Sequence, residues 1–195
     1  NLQLGFLKML KGSKIRGEKE LYDYRFREYP PYEFLSNRYL PYSDVVEIKG
    51  VEEVLERYFN SQKFNCSLDY LIRSFYDKAY DFYHDLYRFN LEKGYLDKPL
   101  SMRDLYRVLS EFAAERIPEE HLPLLNELLK FDYFSSNASR DILPFIKRKE
   151  IPGFKERCFD FLKEAGNVNC FLPHLSGMAA KDIYKIIDNS RIFIV

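Results

Sequence analysis

Apolar residues recur every three to four positions from Ser43 onward, and this spacing predicts a succession of helices. The first predicted helix begins at Ser43 or Asp44, either of which is a suitable N-cap residue. It ends at Asn60-Ser61, because Asn tolerates the left-handed conformation that often follows a helix. Glutamates fill the face opposite its apolar stripe, as is typical of a helix on the surface of a core.

Further helical segments follow along the chain. A long apolar stripe covers residues 67–93, and we expect a break near Tyr76–Lys78 because so long a helix is unusual in a globular domain. Ser101-Met-Arg-Asp104 is like a capping box, with Asp in place of the usual Glu, and opens a helix that Pro118 closes. The remaining segments are residues 119–134, residues 154–165 with Gly166 as the stop, and the weakly helical residues 179–187.

Short strands and irregular segments are expected towards the two ends. Residues 2–10 fit either a short helix or a buried strand. Residues 11–41 are irregular, and Pro30-Pro31 predicts a rigid extended strut. From this strut, Tyr32 and either Phe34 or Leu35 are expected to insert into an apolar site. Residues 168–172 and 192–195 are predicted to be short strands.

These elements define a mainly α fold class: an irregular helical bundle of about five to seven helices, with a few short strands near the termini. We expect residues 1–41 to form a Pro-rich connector and residues 42–195 to form a helical domain, the two packing as one compact unit. Residues 191–195 end in an apolar, strand-like run that needs a neighbour. We therefore expect the chain to be part of a longer protein.

Composition narrows the classes of partner. Thirty basic and thirty acidic residues cancel, whereas a nucleic-acid-binding domain normally carries a net basic surface, so we expect no nucleic-acid partner. No apolar run approaches the roughly 20 residues that span a bilayer, so we expect no membrane partner. The odd number of cysteines favours a reducing compartment, and we expect a cytoplasmic location.

The sequence contains no complete catalytic, cofactor-binding or metal-binding motif. Cys66, Cys158 and Cys170 lie far apart, whereas zinc and iron–sulfur sites need thiolates grouped on short loops. Cys158 falls on the apolar side of its helix and is expected to be a small core residue. His84 shares no metal-like spacing with the other histidines and is expected to have a structural role. We therefore assign no catalytic, cofactor-binding or metal-binding residue.

The chain is rich in aromatic residues, with 17 Phe and 16 Tyr. Tyr76, Tyr80, Tyr83 and Tyr87 fall at helical spacing and share one face of the predicted helix. Tyr offers a large amphipathic contact area, so this face is a candidate contact surface for another domain. The alternative is that the tyrosines lie at the border of the core with their hydroxyl groups in water.

Several segments, taken in order, resemble a known family. Residues 2–13, Leu-Gln-Leu-Gly-Phe-Leu-Lys-Met-Leu-Lys-Gly-Ser, are similar to the end of a radical-SAM barrel, where a strand leads into a Gly-Ser turn. Pro-Pro-Tyr-Glu-Phe-Leu at 30–35, Tyr-Phe-Asn-Ser at 58–61 and Leu-Leu-Lys-Phe-Asp-Tyr at 128–133 follow. The succession covers nearly the whole chain. It resembles the uncharacterised C-terminal domain of cobalamin-binding radical-SAM proteins, the Fe-S oxidoreductase family.

The resemblance implies a parent protein with a [4Fe-4S] cluster, S-adenosylmethionine and cobalamin bound upstream of this chain. The chain itself has no Cys-x-x-x-Cys-x-x-Cys loop, so no catalytic residue is carried over. Residues 1–41 would then include a remnant of the barrel end. The helical domain would be a non-catalytic accessory domain that packs against the barrel of the same polypeptide and helps to close the active site.

Six residues are candidate contact residues for such a partner: Tyr32, Glu33, Asn60, Phe64, Tyr80 and Tyr87. The first four also have structural interpretations, as parts of a strut, as a helix cap or as a core residue. The main alternative function is a stand-alone helical interaction module that uses the Tyr-rich face, and a weaker one is an enzyme that uses His84 with nearby acids. Residues 2–10, without barrel neighbours, also allow self-association through an exposed strand.

Overall fold

The computed structural model describes residues 1–136 and 152–187. Helix dominates these residues, which confirms the predicted mainly α fold class. The helices are α1 (Lys14–Gly17), α2 (Tyr42–Tyr58), α3 (Asn65–Phe75), α4 (Ala79–Glu92), α5 (Met102–Arg116), α6 (Leu122–Ser136), α7 (Phe154–Lys163), α8 (Ala165–Phe171) and α9 (Ala180–Ile186). Short 3₁₀ helices cover Glu119–His121 and Pro173–Leu175, and the strands β1 (Arg25–Phe26) and β2 (Phe34–Ser36) form an antiparallel pair.

The described residues belong to two compact units. The first runs from Asn1 to Tyr133, and the second begins at Phe134. The Pro-rich residues 1–41 therefore lie in the same unit as helices α2 to α5. Each unit has its own buried apolar residues, so each is described separately.

A small hairpin lies against the beginning of α2. Phe26 of β1 stands opposite Phe34 of β2, and their rings meet edge to face with centroids 5.9 Å apart. Both rings are buried in one cluster with Val45 of α2, and Phe6 and Met9 pack on the same cluster. The hairpin thus joins the N-terminal segment to the helices through shared apolar contacts.

Residues 29–32 form a turn and not the extended strut that Pro30-Pro31 predicts. The peptide bond between Pro30 and Pro31 is cis, and the N–H of Tyr32 donates to the carbonyl oxygen of Tyr29 at 3.0 Å. Proline fixes its own φ but allows both isomers of the bond before it, so the pattern alone does not set the chain direction. Phe34 is buried, as predicted, whereas Tyr32 is 37% exposed.

Aromatic rings of α4 and α5 fill the centre of the first unit. Phe82 and Phe89 of α4 pack against Phe112 of α5 in edge-to-face geometry, with centroids 5.8 and 5.5 Å apart. All three rings are fully buried. The spacing of Phe82 and Phe89 along the sequence therefore marks the core face of α4.

Three predicted helix boundaries are confirmed. The chain breaks between α3 and α4 at Tyr76–Lys78, and Gly94, with a φ of 67°, follows the end of α4. At the start of α5 the Ser101 hydroxyl oxygen accepts from the N–H of Asp104, while the Asp104 carboxylate accepts from the N–H of Ser101. The hydrogen bond from the Ser101 hydroxyl also holds the pKa of the Asp104 carboxyl below its usual value.

The end of α2 is near its predicted position but is built differently. The helix ends at Tyr58, and Gln62, with a φ of 57°, takes the left-handed conformation expected of Asn60. The backbone N–H of Gln62 and its side-chain Nε2 both donate to the carbonyl oxygen of Phe59, at 3.1 and 2.8 Å. Gln62 therefore satisfies the helix end, and the Asn60 side chain makes other bonds.

The described part of the second unit consists of α7, α8 and α9 around one buried cluster: Leu162, Val168, Leu175 and Ile183. The helix predicted at residues 179–187 is confirmed by α9, and Cys158 is buried, as predicted for a core residue.

Two predictions in this unit are wrong. Residues 168–171 are helical in α8, not part of a strand, and the N–H of Leu172 donates to the carbonyl oxygen of Val168 at 2.8 Å. Gly166, predicted to end a helix, lies inside α8. A short apolar run has no period that distinguishes strand from helix, so packing decides between them. The strand predicted at residues 192–195 lies outside the described residues.

Candidate functional site

The N-terminal segment pairs with the hairpin through an isolated antiparallel bridge. Lys8 forms an antiparallel bridge with Glu33, and the N–H of Phe34 donates to the carbonyl oxygen of Leu7 at 2.8 Å. Residues 2–10 form neither the short helix nor the buried strand that the sequence allows, because Lys8 alone is bridged and Leu2, Leu7 and Leu10 are exposed. β2 therefore has β1 on one side and this segment on the other.

Asn60 fixes the beginning of the segment. Its Oδ1 accepts from the backbone N–H of Leu2 at 2.9 Å, and its Nδ2 donates to the carbonyl oxygen of Leu2 at 2.8 Å. The side-chain amide thus pairs with both backbone groups of one residue, as a neighbouring strand would. Glu56, one turn earlier on α2, accepts another hydrogen bond from Nδ2 and orients the amide.

Glu33 connects the hairpin to α2. Its carboxylate forms an ion pair with Lys49, and both side chains are at least two thirds buried. The Nζ of Lys49 also lies 5.0 Å from the centroid of the Phe6 ring, a cation–π distance. Lys49 therefore joins α2, the hairpin and the N-terminal segment at one point.

Phe64 lies in the core of the first unit. Its ring is fully buried between Tyr58 and Tyr106, with centroids 5.1 and 4.3 Å away. The Tyr106 hydroxyl donates to the carbonyl oxygen of Lys63 and so fixes the connection between α2 and α3. The geometry gives Phe64 the core position that the sequence allowed as its structural interpretation.

The tyrosines predicted to share one face are divided between surface and core. Tyr80 is 51% exposed, and its ring stacks on His84 with centroids 5.7 Å apart and an interplanar angle of 13°. Tyr83 and Tyr87 are buried, and Tyr76 is half-buried. Of these four tyrosines, Tyr80 alone is exposed.

His84 lies beside a carboxylate and a guanidinium group between α4 and α2. Its Nε2 lies 3.4 Å from Oε2 of Glu47, and Nη1 of Arg88 lies 3.6 Å from Oε1 of the same carboxylate. All three side chains are partly exposed, so the group is well hydrated. These contacts give His84 a structural role as a link between two helices.

The sequence pattern does not single out Asp132 of α6, yet this residue caps α3. Its carboxylate accepts from the N–H of Cys66 at 3.1 Å, from the N–H of Ser67 at 2.8 Å and from the Ser67 hydroxyl at 2.7 Å. The N-cap position of α3 is Phe64, whose side chain has no hydrogen-bond acceptor. The cap therefore comes from another helix. The sequence signal is one acidic residue inside an apolar stretch, residues 128–134.

The sequence pattern does not single out Arg57 either. Its Nη1 donates to the carbonyl oxygen of Tyr95 at 3.0 Å, and its Nη2 donates to that of Leu96 at 2.9 Å. Glu53 pairs with the same guanidinium. One planar side chain of α2 therefore satisfies two carbonyl groups of the loop between α4 and α5.

A shallow groove of about 890 Å³ lies beside β1. Its lining includes three tyrosines (Tyr24, Tyr29 and Tyr42), three basic residues (Lys19, Arg25 and Arg27) and three acidic residues (Glu20, Asp23 and Glu28). The lining therefore carries as many basic as acidic side chains.

Metal-binding groups and membrane spans were sought in the same residues. In residues 1–136 and 152–187, no three His, Cys, Asp or Glu side chains form a group that could hold a metal ion. No helix in this part of the chain combines the length and the apolar character needed to cross a membrane. All three cysteines are free thiols.

These features define a mainly helical protein whose N-terminal segment is bridged to a small hairpin in the first unit. Residues 20–193 match the model of one protein family, described as "Protein of unknown function (DUF4080)". The match covers most of the chain, and the chain belongs to this family. Neither the comparison with curated proteins nor that with solved structures gave a match.

Proposed function

We propose that the chain is a non-catalytic C-terminal accessory domain of a cobalamin-dependent radical-SAM Fe-S oxidoreductase. In this role it packs against the barrel of the same polypeptide and helps to close the active site, which protects radical intermediates from water. The proposal rests on the resemblance of residues 2–13 to a barrel end and of the later segments to the domain that follows it.

The fixed position of the N-terminal segment carries this proposal. Asn60 binds both backbone groups of Leu2. Lys8, six residues after Leu2, pairs with Glu33. A polypeptide joined to this segment would therefore enter the first unit in a defined place and direction. An accessory domain that closes a site needs such a junction, whereas a freely tethered module does not.

The described residues do not fit a [4Fe-4S] cluster. Burial raises the pKa of the Cys66 thiol, and the negative charge of Asp132 raises it further, whereas a cluster ligand must be a thiolate. Cys158 is buried and Cys170 is exposed in the second unit. We therefore place the cluster, S-adenosylmethionine and cobalamin in preceding domains of the parent and derive no chemical step from this chain.

A stand-alone interaction module is the alternative function. The Tyr-rich face gives it less support than the spacing suggested, because Tyr83 and Tyr87 are buried and Tyr80 is already stacked on His84. The N-terminal strand, with exposed Leu7 and Leu10, offers a second route to a partner or to another copy of the chain. A cytoplasmic location stays a prediction for either function.

The reading frame upstream of Asn1 provides the first test. We expect it to encode a Cys-x-x-x-Cys-x-x-Cys loop. The full-length protein purified without oxygen should then hold about four iron ions per polypeptide, the content of one [4Fe-4S] cluster. Alanine substitution of the loop cysteines should abolish the cluster absorbance, while Cys66→Ala and Cys170→Ala should leave it unchanged. An initiator methionine directly before Asn1 would contradict the proposal.

A further inference from the structure

The N-terminal segment, residues 2–10, is held to the first unit through backbone hydrogen bonds. The carbonyl oxygen of Leu7 accepts from the N–H of Phe34 at 2.8 Å, and the N–H of Met9 donates to the carbonyl oxygen of Tyr32 at 2.9 Å. The Asn60 amide supplies two further bonds to the backbone near the start of the segment. Main-chain bonds of this kind bind extended peptides to the edge of a strand, so these groups form a site for an extended chain.

Little of the segment is buried where it lies. None of residues 1–13 is fully buried, and two half-buried side chains, Phe6 and Met9, pack on the apolar cluster that the hairpin shares with α2. Release of the segment would uncover this cluster and would take away the acceptor of the Phe34 N–H. An identical segment would restore these contacts, because it presents the same backbone groups and the same two side chains.

Gly12 follows the segment and sets its direction. Its φ of 80° is left-handed, and a Cβ atom there would meet nothing within 4 Å, so the restriction at this position is one of backbone conformation. The N–H and the hydroxyl of Ser13 both donate to the carbonyl oxygen of Leu10, at 3.3 and 2.8 Å, and close the turn. A change of conformation at this one turn would carry residues 2–10 away from the site without altering the hairpin or α2. Gly12 is therefore placed as a hinge.

We propose that residues 2–10 exchange between two copies of this chain, each segment filling the site of the other copy, with Gly12 as the hinge. The occupant is a second copy because the site is already filled by this sequence within one chain. Exchange of an identical element is a low-cost route to a dimer, since it keeps every contact of the monomer except those at the hinge. The closed turn favours the monomer at low protein concentration, so concentration and strain at Gly12 drive the exchange. The inference does not rest on the proposed function, because the contacts are the same whichever copy supplies the segment.

Disulfide trapping tests the inference in the full chain, with its three native cysteines replaced by alanine. Lys8 and Glu33 stand opposite each other in a pair that shares no hydrogen bond, where side chains come close enough for a disulfide. A mixture of Lys8→Cys and Glu33→Cys chains should therefore form a cross-linked dimer. A mixture of Lys8→Cys and Asp69→Cys chains measures random collision, because Asp69 lies exposed on α3, and should cross-link roughly tenfold more slowly. Equal rates in the two mixtures would overturn the inference.

The double variant Lys8→Cys, Glu33→Cys checks the placement of the pair. At low protein concentration its disulfide should form within one chain, and at high concentration it should form increasingly between chains. If no disulfide formed within the chain, residues 2–10 would not occupy the site, and the inference would fail with that contact.

Two glycine variants test the hinge without any added cysteine. Gly12→Ala strains the closed turn, and the open hinge of an exchanged dimer releases this strain, so the association constant should rise roughly fivefold for each of the two hinges. Gly5→Ala is the matched control within the segment, because a Cβ atom there meets nothing within 4 Å and its φ is not positive. Analytical ultracentrifugation up to millimolar concentration measures both variants. Equal association constants would overturn Gly12 as the hinge, and the absence of a dimer in Gly12→Ala would overturn the exchange itself.

Discussion

The backbone of α2 at Gly50 lies directly against the ring of Tyr87 in α4: a Cβ atom on Gly50 would be 2.0 Å from Cε2 of that ring. Tyr87 is buried, so its ring has little room to move. We expect Gly50→Ala to lower the free energy of unfolding by about 1–3 kcal/mol, since overpacking outweighs the better helix propensity of alanine. Urea denaturation followed by circular dichroism measures this change.

Gly17→Ala is the matched control for that substitution. Gly17 is also helical, in α1, and a Cβ atom there would meet nothing within 4 Å. We expect the free energy of unfolding of the Gly17→Ala variant to stay within about 0.5 kcal/mol of that of the unmodified chain. Equal effects of the two substitutions would mean that α2 and α4 are not in close contact at Gly50.

Asp132 is expected to be one of the most sensitive polar positions of the first unit. Asp132→Ala removes the acceptor for three donors at the start of α3 and leaves the two Ser67 donors buried, so we expect a loss of about 2–4 kcal/mol in the free energy of unfolding. Amide exchange at Cys66 and Ser67 should accelerate as well. Asp69→Ala, on the exposed side of α3, should change stability by less than about 1 kcal/mol.

Loss of the hydroxyl group should affect the stability of the fold differently at two buried tyrosines, Tyr83 and Tyr106. The Tyr83 hydroxyl has no partner among the described residues, so we expect Tyr83→Phe to be neutral or to stabilise the fold by up to about 1 kcal/mol. The Tyr106 hydroxyl donates to Lys63, so Tyr106→Phe should destabilise it by about 1 kcal/mol. Thermal unfolding of both variants provides the comparison, and a stability loss in Tyr83→Phe would reveal a hydrogen bond to that hydroxyl.

Alkaline pH should weaken the fold through Tyr83, Tyr58 and Tyr76. Burial raises the pKa of Tyr83 from 10.0 to about 12, and it also raises the pKa of Tyr58 and of Tyr76, which in addition donates to Asp85. The folded state therefore keeps protons that the unfolded state releases. The stabilisation is complete below pH 10 and is lost as the pH rises from about 10 towards 12.

Denaturant titrations between pH 8 and 12 check this dependence, with tyrosinate absorbance followed in parallel. Tyr83, Tyr58 and Tyr76 should ionise only as the chain unfolds, because their pKa values are raised in the folded state. Tyr83→Phe should make the decline in stability shallower. A decline that begins well below pH 10, or that is identical in Tyr83→Phe, would contradict a role for Tyr83.

Local patterns in the sequence were sufficient to predict much of the helical framework. The Ser101–Asp104 capping box and the break at Tyr76–Lys78 are properties of neighbouring residues, and both are present in the structure. The prediction failed where the pattern was short. Residues 168–172 are too few to show a period, and the packing of Val168 in its cluster favours helix. The direction of the chain at Pro30-Pro31 depends on a turn that proline spacing does not specify.

The candidate site was less accessible to sequence reasoning, because its bonds connect distant positions. Asn60 and Glu33 were expected to contact another domain. In the structure, their polar groups bind Leu2 and Lys49 of this same chain. Nothing in the residues around Asn60 indicates that a segment 58 positions earlier will lie beside it. The capping of α3 by Asp132, 66 positions from Cys66 in the same chain, is hidden from the sequence for the same reason.

Asn60→Asp tests the attachment of the N-terminal segment with the smallest change of shape. The carboxylate still accepts from the N–H of Leu2, but it cannot donate to the Leu2 carbonyl oxygen, and it places a second negative charge beside Glu56. We expect the amide of Met9, which donates to Tyr32, to exchange roughly tenfold faster because the strand opens more often. Hydrogen–deuterium exchange with mass spectrometry gives this rate.

The control for this substitution is Asn65→Asp at the start of α3. Among the described residues, the Asn65 side chain bonds locally, to the carbonyl oxygen of Gln62, and makes no hydrogen bond to the N-terminal segment. The exchange of Met9 should therefore be unchanged in this variant. If Asn60→Asp also left Met9 protected, the hairpin pairing alone would hold the segment, and the defined entry of the chain at Leu2 would lose its support. Faster exchange in Asn60→Asp alone would show that one side-chain amide sets the position of the N-terminal segment.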